Sequence, residues 1–184
     1  MTGVVDGLVL IRKSSGPTSH DCVARLRRIL KTKKIGHFGT LDPFAEGLLL
    51  AGVGKATRLF PYFGLSDKTY EGKIRLGFAT DTYDRTGRQA GPETAAMPSR
   101  EDVTAAMARF LGEQAQLAPP FSAKKLDGKP LYVYARGGVE VERRSTDIRV
   151  DRFDLRAYEP PFLDFEVACS AGTYVRAMAH DLGA

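Results

Sequence analysis

Asp42 is the side chain in this sequence whose setting most suggests chemistry. It lies in Gly36-His37-Phe38-Gly39-Thr40-Leu41-Asp42-Pro43-Phe44-Ala45-Glu46-Gly47-Leu48-Leu49. Glycines there allow close backbone approach, Pro43 fixes the chain just after the carboxylate, and the apolar run Gly47 to Val53 anchors the loop at its C-terminal end. A carboxylate presented rigidly can act as a general base or as a nucleophile. An Asp-Pro pair is also ordinary turn chemistry, and on residue types alone both readings stand.

Arg176 is the second residue of interest. With Thr173 as N-cap it falls in the first turn of a helix, where the dipole disfavours a cation, so either a partner compensates it or it points into solvent. Three more familiar patterns fail. Gly52-Val53-Gly54-Lys55-Ala56-Thr57 lacks the upstream glycine of a phosphate loop and has Ala56 at the metal-binding hydroxyl position. Asp81 to Gly87 begins like a calcium loop, but Tyr83 and Arg85 occupy ligand positions and the glycine comes one place late. His20, His37 and His180 are too scattered for a zinc spacing, so no metal is expected.

Hydrophobic pattern and turn residues give the secondary structure around these side chains. Gly7 to Ile11 reads as a short buried strand, followed by a turn at Gly16-Pro17. Ser19 is the expected N-cap of a helix with Asp21 in its first turn and Val23, Leu26 and Leu30 as its apolar stripe. Gly47 to Val53 predicts a strand covered on both faces, which places Asp42 in the loop before a central strand. A helix is expected over Lys55 to Phe63, and a half-buried strand over Tyr70 to Phe78 with Tyr70, Ile74, Leu76 and Phe78 on one face. Ser99 should cap a helix reaching Leu111, and Pro119-Pro120 interrupts the chain beyond it. Strands over Asp147 to Ala157 and Leu163 to Cys169 precede a helix starting near Thr173, with Gly183 as its terminator. Strand runs with a few helices, without steady alternation, predict an α+β fold on a largely antiparallel sheet flanked by helices.

Composition narrows the class. The 184 residues suit one domain, and 43% hydrophobic content suffices for a core. No apolar run approaches the ~20 residues that span a bilayer, and no secretory signal pattern opens the chain, so a cytoplasmic protein without a membrane is expected. Cys22 and Cys169 lie far apart, which makes reduced, buried thiols the default. A net charge of +5 favours a polyanionic partner. The charge is clustered, since Arg25, Arg27, Arg28, Lys31, Lys33 and Lys34 occur with no acid between them, although a solvated helix face would look the same. A second basic segment, Phe121 to Val141, carries Lys124, Lys125, Lys129, Tyr132, Tyr134 and Arg136, and reads as an RNA-gripping insertion or as an ordinary surface hairpin.

The stretch from Gly36 to Leu49 resembles the GHxGTLDPxAxGLL signature of the TruB family of tRNA pseudouridine synthases at every specified position. The resemblance extends over nearly the whole chain. Lys13 to Ser19 is similar to KPxGxTS, Gly54 to Arg58 to GxATR, Asp67 to Tyr70 to DKxY, Thr80 to Asp84 to TDTxD, and Gly172 to Arg176 to GTYxR. It implies the pseudouridine synthase fold and a cofactor-free, metal-free isomerisation of uridine to pseudouridine at position 55 in the T-loop of tRNA, with the base flipped out. Asp42 is then the catalytic carboxylate, with Arg176 as its counterion. Tyr70 stacks on the target base, although its place on an apolar strand face also suits core packing. Tyr174 is the second pocket tyrosine, and His37 fills the gap in the T-loop. Lys13 and Asp84 are placed with the substrate, although a surface turn explains Asp84 almost as well. The partner expected is the T-arm of tRNA, gripped by Arg25, Arg28, Lys31, Lys33, Lys34, Lys124, Lys125, Lys129 and Arg136, and a monomer is expected.

Two departures stand out. Ser14 replaces the family's usual proline, which would loosen the loop supporting Tyr70. The chain ends at Ala184, whereas the family continues with a segment that completes the base pocket and commonly with a small RNA-binding domain. A single catalytic domain over 1–184, incomplete at its C-terminal end and carrying residues 119–141 as its RNA-gripping insertion, is therefore the expectation. Two other readings are a noncatalytic tRNA-binding or folding module and a pseudouridine synthase for another RNA.

Overall fold

A computed structural model describes residues 5–184. The chain divides into two compact units, Met1–Ser66 and Asp67–Ala184.

The first unit is a three-stranded antiparallel sheet backed by a helix. Strand β1 (Gly7–Lys13) leads to α1 (Ser19–Ile29), β2 (Ile35–His37) and β3 (Gly47–Val53), with β3 in the middle of the order β1-β3-β2. The cap of helix α1 lies one residue before its expected position. Thr18, not Ser19, is the N-cap, and its hydroxyl exchanges bonds with Asp21 in a capping box. Ser19 is thereby released for another role. Val23 packs with Ile35, Ala51 and Val53, flanked by Val9, Ile11, Leu26 and Leu30. Strand β3 is covered on both faces only from Leu49 onward, because Leu48 is 67% exposed. After it the chain makes a 3-10 turn over Gly54–Leu59 and a single helical turn, α2 (Phe60–Phe63), in place of one continuous helix. Pro61 lacks the N–H a longer helix would need and so sits at its first turn.

The second unit is a four-stranded antiparallel sheet. Its elements are β4 (Lys68–Arg75), β5 (Ala79–Thr80), β6 (Gln89–Ala90), α3 (Arg100–Ala108), β7 (Gly112–Leu117), β8 (Lys125–Leu126), β9 (Lys129–Pro130), α4 (Leu131–Arg136), β10 (Ser145–Glu159), β11 (Phe162–Cys169) and α5 (Val175–Leu182). The main sheet runs β4-β11-β10-β7, while β5-β6 and β8-β9 are small hairpins. Inward side chains of β4, β10 and β11 pack with Val103, Met107 and Met178 around a column of edge-to-face phenylalanines, Phe110, Phe153 and Phe165.

Strand β4 is shorter than its alternation implies. Gly77 takes a left-handed φ of 106°, which turns the chain away before Phe78, so only Tyr70 and Ile74 of the expected face lie on the strand. Ser99 does cap α3, but the helix stops at Ala108 rather than Leu111. The N-cap of α5 is Tyr174 rather than Thr173, and Gly183 follows as its C-cap. Strand β7 is not legible in sequence, because Glu, Gln and Ala are poor strand formers and pairing with β10 decides the matter. Cys169 is buried as expected, whereas Cys22 is only half-buried.

Candidate active site

Three backbone braces hold Asp42, all within the first unit. Lys13, at the end of β1, is 1% exposed. Its ammonium donates to the carbonyls of Ser14 at 3.1 Å, Pro43 at 3.0 Å and Ala45 at 2.7 Å, one acceptor for each N–H. The Gly16 amide also donates to the Pro43 carbonyl at 2.8 Å. Ser19, 2% exposed at the start of α1, accepts from the Leu41 amide at 2.9 Å and donates back to the Leu41 carbonyl at 3.1 Å. The backbone of Leu41 before Asp42 and of Pro43 after it is thus tied to α1 and β1, and the Ala45 amide closes a turn onto the Asp42 carbonyl at 3.1 Å. Asp42 itself is half-buried.

This geometry corrects the expectation that Lys13 lies with the substrate. Its three donors are occupied by carbonyls, so it acts on the loop that carries Asp42.

His37 lies on β2 opposite Ala51 and is half-buried. Burial is the main cause holding its imidazole below the ordinary value of 6.5, against a Gly39 backbone interaction that favours the cation. The next residue, Phe38, is anchored by its amide to Leu50 and by rings of Phe63, stacked at 5.9 Å, and Phe60. Of the basic run, Arg25, Arg28, Lys31, Lys33 and Lys34 are exposed. Arg27 is not part of that surface, because its guanidinium turns in to the Ile35 carbonyl at 2.7 Å.

In the second unit the residues gather around Arg176. It occupies the first turn of α5 at 9% exposure, where a cation needs compensation. Carbonyls provide part of it: the guanidinium donates to Thr82 at 3.0 Å and Phe121 at 2.6 Å. The Asp84 carboxylate stands 4.0 Å away, and the two side chains are 8% and 9% exposed. Asp84 is therefore no surface turn. Its other oxygen accepts from the Thr82 hydroxyl and from the amide and hydroxyl of Thr86, which locks the loop between β5 and β6. Within that loop Tyr83 has a left-handed φ of 64°, and its ring stacks on His180 of α5 at 3.7 Å.

Tyr174 lies under the Arg176 guanidinium at 5.8 Å, and its peptide is gripped by Gln116, a residue with no signal in the sequence. Tyr70 is half-buried on β4 opposite Val167 and packs against the core, as its strand position suggests. In the segment 119–141 the hairpin and α4 expose Lys125, Lys129 and Arg136, the last over the Tyr132 ring at 5.3 Å. Lys124 departs from its expected place among the RNA-gripping cations. Its ammonium reaches the Arg144 carbonyl at 3.1 Å and the Thr146 hydroxyl, which ties the hairpin to β10. Among the described residues no cluster of potential metal ligands occurs, and no helix is long and apolar enough to cross a membrane.

Known proteins share this arrangement of elements. Residues 27–175 match the family described as TruB family pseudouridylate synthase, N terminal domain. Over 179 residues the chain is 49% identical to tRNA pseudouridine synthase B of Opitutus terrae, covering 97% of this chain and 74% of that protein. The proteins of the same name from Bacillus pumilus and Geobacter sulfurreducens are 44% and 46% identical, and the chain spans only 60% and 59% of their length. Among solved structures, one titled as a Cbf5-Nop10-Gar1 complex is similar with a TM-score of 0.71 at 28% identity, covering 96% of this chain and 43% of that one. Another, an H/ACA RNP bound to a substrate RNA containing 2'-deoxyuridine, has a TM-score of 0.68 at 25% identity, with coverage of 96% and 42%. With a family match over most of its length and a 49% identical relative, this chain belongs to the TruB family of pseudouridylate synthases.

Proposed function

We propose that the protein isomerises uridine to pseudouridine at position 55 in the T-loop of tRNA, with Asp42 as the catalytic carboxylate. The observation that carries this reading is the braced loop, which holds one half-buried carboxylate by its neighbouring peptides through Lys13, Gly16 and Ser19. Family membership supplies the reaction class.

The reaction breaks the bond from C1' of the ribose to N1 of uracil, turns the base, and joins C1' to C5. The C5 proton is lost and N1 ends protonated, so atoms and electrons balance and no cofactor is needed. Asp42 starts the sequence either by attacking C1' or by taking the C2' proton to leave a glycal. A stacked loop hides these atoms, so the base is flipped out. This reading assigns Tyr70 and Tyr174 to the uracil, Arg176 to the counterion's part and His37 to the gap left in the loop. Asp84 holds Arg176, and Arg25, Arg28, Lys31, Lys33, Lys34, Lys125, Lys129 and Arg136 meet tRNA phosphates.

The test is incubation of the full-length protein with unmodified tRNA, followed by pseudouridine mapping, beside Asp42→Asn. Wild type is expected to modify the T-loop alone, and the variant to bind tRNA without forming product. Equal product from the variant rejects the role of Asp42. Tight binding without product from wild type favours a noncatalytic folding module, and product only in another RNA moves the substrate.

A further inference from the structure

Gln116 points inward from β7, an edge strand, at 6% exposure. Its side-chain amide makes two hydrogen bonds to one residue of another element. Oε1 accepts from the Tyr174 amide at 2.8 Å, and Nε2 donates to the Tyr174 carbonyl at 3.1 Å. The primary amide thus mimics a strand neighbour and grips both polar groups of a single residue. Tyr174 is the N-cap of α5 and has no side-chain cap of its own. Its carbonyl also begins the helix, accepting from Ala177 at 3.0 Å and Met178 at 3.2 Å. The segment after β7 adds the Phe121 carbonyl, which holds the Arg176 guanidinium at 2.6 Å.

We infer that Gln116 is a positioning residue, setting the peptide from which the Tyr174 ring projects and, through the first turn of α5, the placement of Arg176. The physical reason is the asymmetry of buried hydrogen bonds: a helix start gripped at both polar groups has one low-energy placement, and without the grip it relaxes among several. The inference rests on the reading that Tyr174 meets the uracil and that Arg176 is the counterion of the catalytic carboxylate.

The experiment compares wild type, Gln116→Met and Gln116→Glu in the full-length protein, measuring kcat and KM on unmodified tRNA, tRNA affinity and Tm. Methionine keeps the shape and removes both bonds. Glutamate keeps the acceptor for the Tyr174 amide and loses the donor. The expected result is a fall in kcat of roughly 10- to 100-fold for Gln116→Met at little changed KM and affinity, with Gln116→Glu in between. A methionine variant with wild-type kcat overturns the inference, as does activity lost only in proportion to unfolded protein. If Gln116→Met does not fold, Gln116→Glu decides alone: reduced kcat at retained Tm supports positioning, and unchanged kcat refutes it. Failure of both to fold makes Gln116 merely structural and likewise refutes it. Wild type without product on tRNA is a separate outcome that removes the functional reading on which the inference stands.

Discussion

Replacing Lys13 by methionine separates a brace from a substrate contact. The side chain is 1% exposed and makes three charge-assisted bonds, at 3.1, 3.0 and 2.7 Å, to carbonyls of Ser14, Pro43 and Ala45. Each such bond contributes about 1.5–3 kcal/mol net, so the gross loss is on the order of 5–9 kcal/mol. Two effects reduce it. Pro43 keeps the Gly16 amide as a second donor, and removing the ammonium also removes the cost of burying it. A net loss of about 3 kcal/mol remains, which for a chain of this size lowers Tm by roughly 6–12 °C. The loop carrying Asp42 then samples several positions, and kcat falls by about 100-fold. Thermal unfolding followed by circular dichroism measures the first effect, and single-turnover pseudouridine formation well below the variant's Tm measures the second. A substrate contact would instead raise KM with Tm unchanged. A Tm shift below about 2 °C together with unchanged kcat refutes the brace. Arginine should not substitute, because its planar fork cannot meet three convergent carbonyls as an ammonium does.

Ser19→Ala removes the hydroxyl that both accepts from and donates to Leu41, and should cost about 1–3 kcal/mol in denaturant unfolding while lowering kcat and leaving tRNA affinity unchanged. Unaltered kcat would show that Leu41 needs no such tie. For His37, folding depresses the imidazole below 6.5, chiefly by burial, so the unfolded chain takes up its proton first as pH falls. Its share of stability is complete above pH 6.5 and is lost as pH drops through the folded value. An NMR titration placing His37 at or above 6.5 would contradict this.

Sequence alone determined the class of the fold, the family and the position of Asp42, because each depends on local information. Alternation in Tyr70 to Ile74 and Leu163 to Cys169 follows from one buried sheet face, and Ser99 announces the start of α3 as a local N-cap. The motif from Gly36 to Leu49 is contiguous, so its likeness to a family is legible without coordinates. Tertiary structure alone decided what each polar side chain does with its hydrogen bonds. Lys13 reads in sequence as a substrate contact and Lys124 as an RNA-gripping cation, yet both ammonium groups reach partners remote in sequence. Ser19 looks like a helix cap, but Thr18 takes that part and frees the hydroxyl for Leu41. Gln116 shows no signal at all, since its meaning lies in a peptide 58 residues away. A hydrogen bond is set by distance and direction in space, which residue order constrains only for neighbours along the chain.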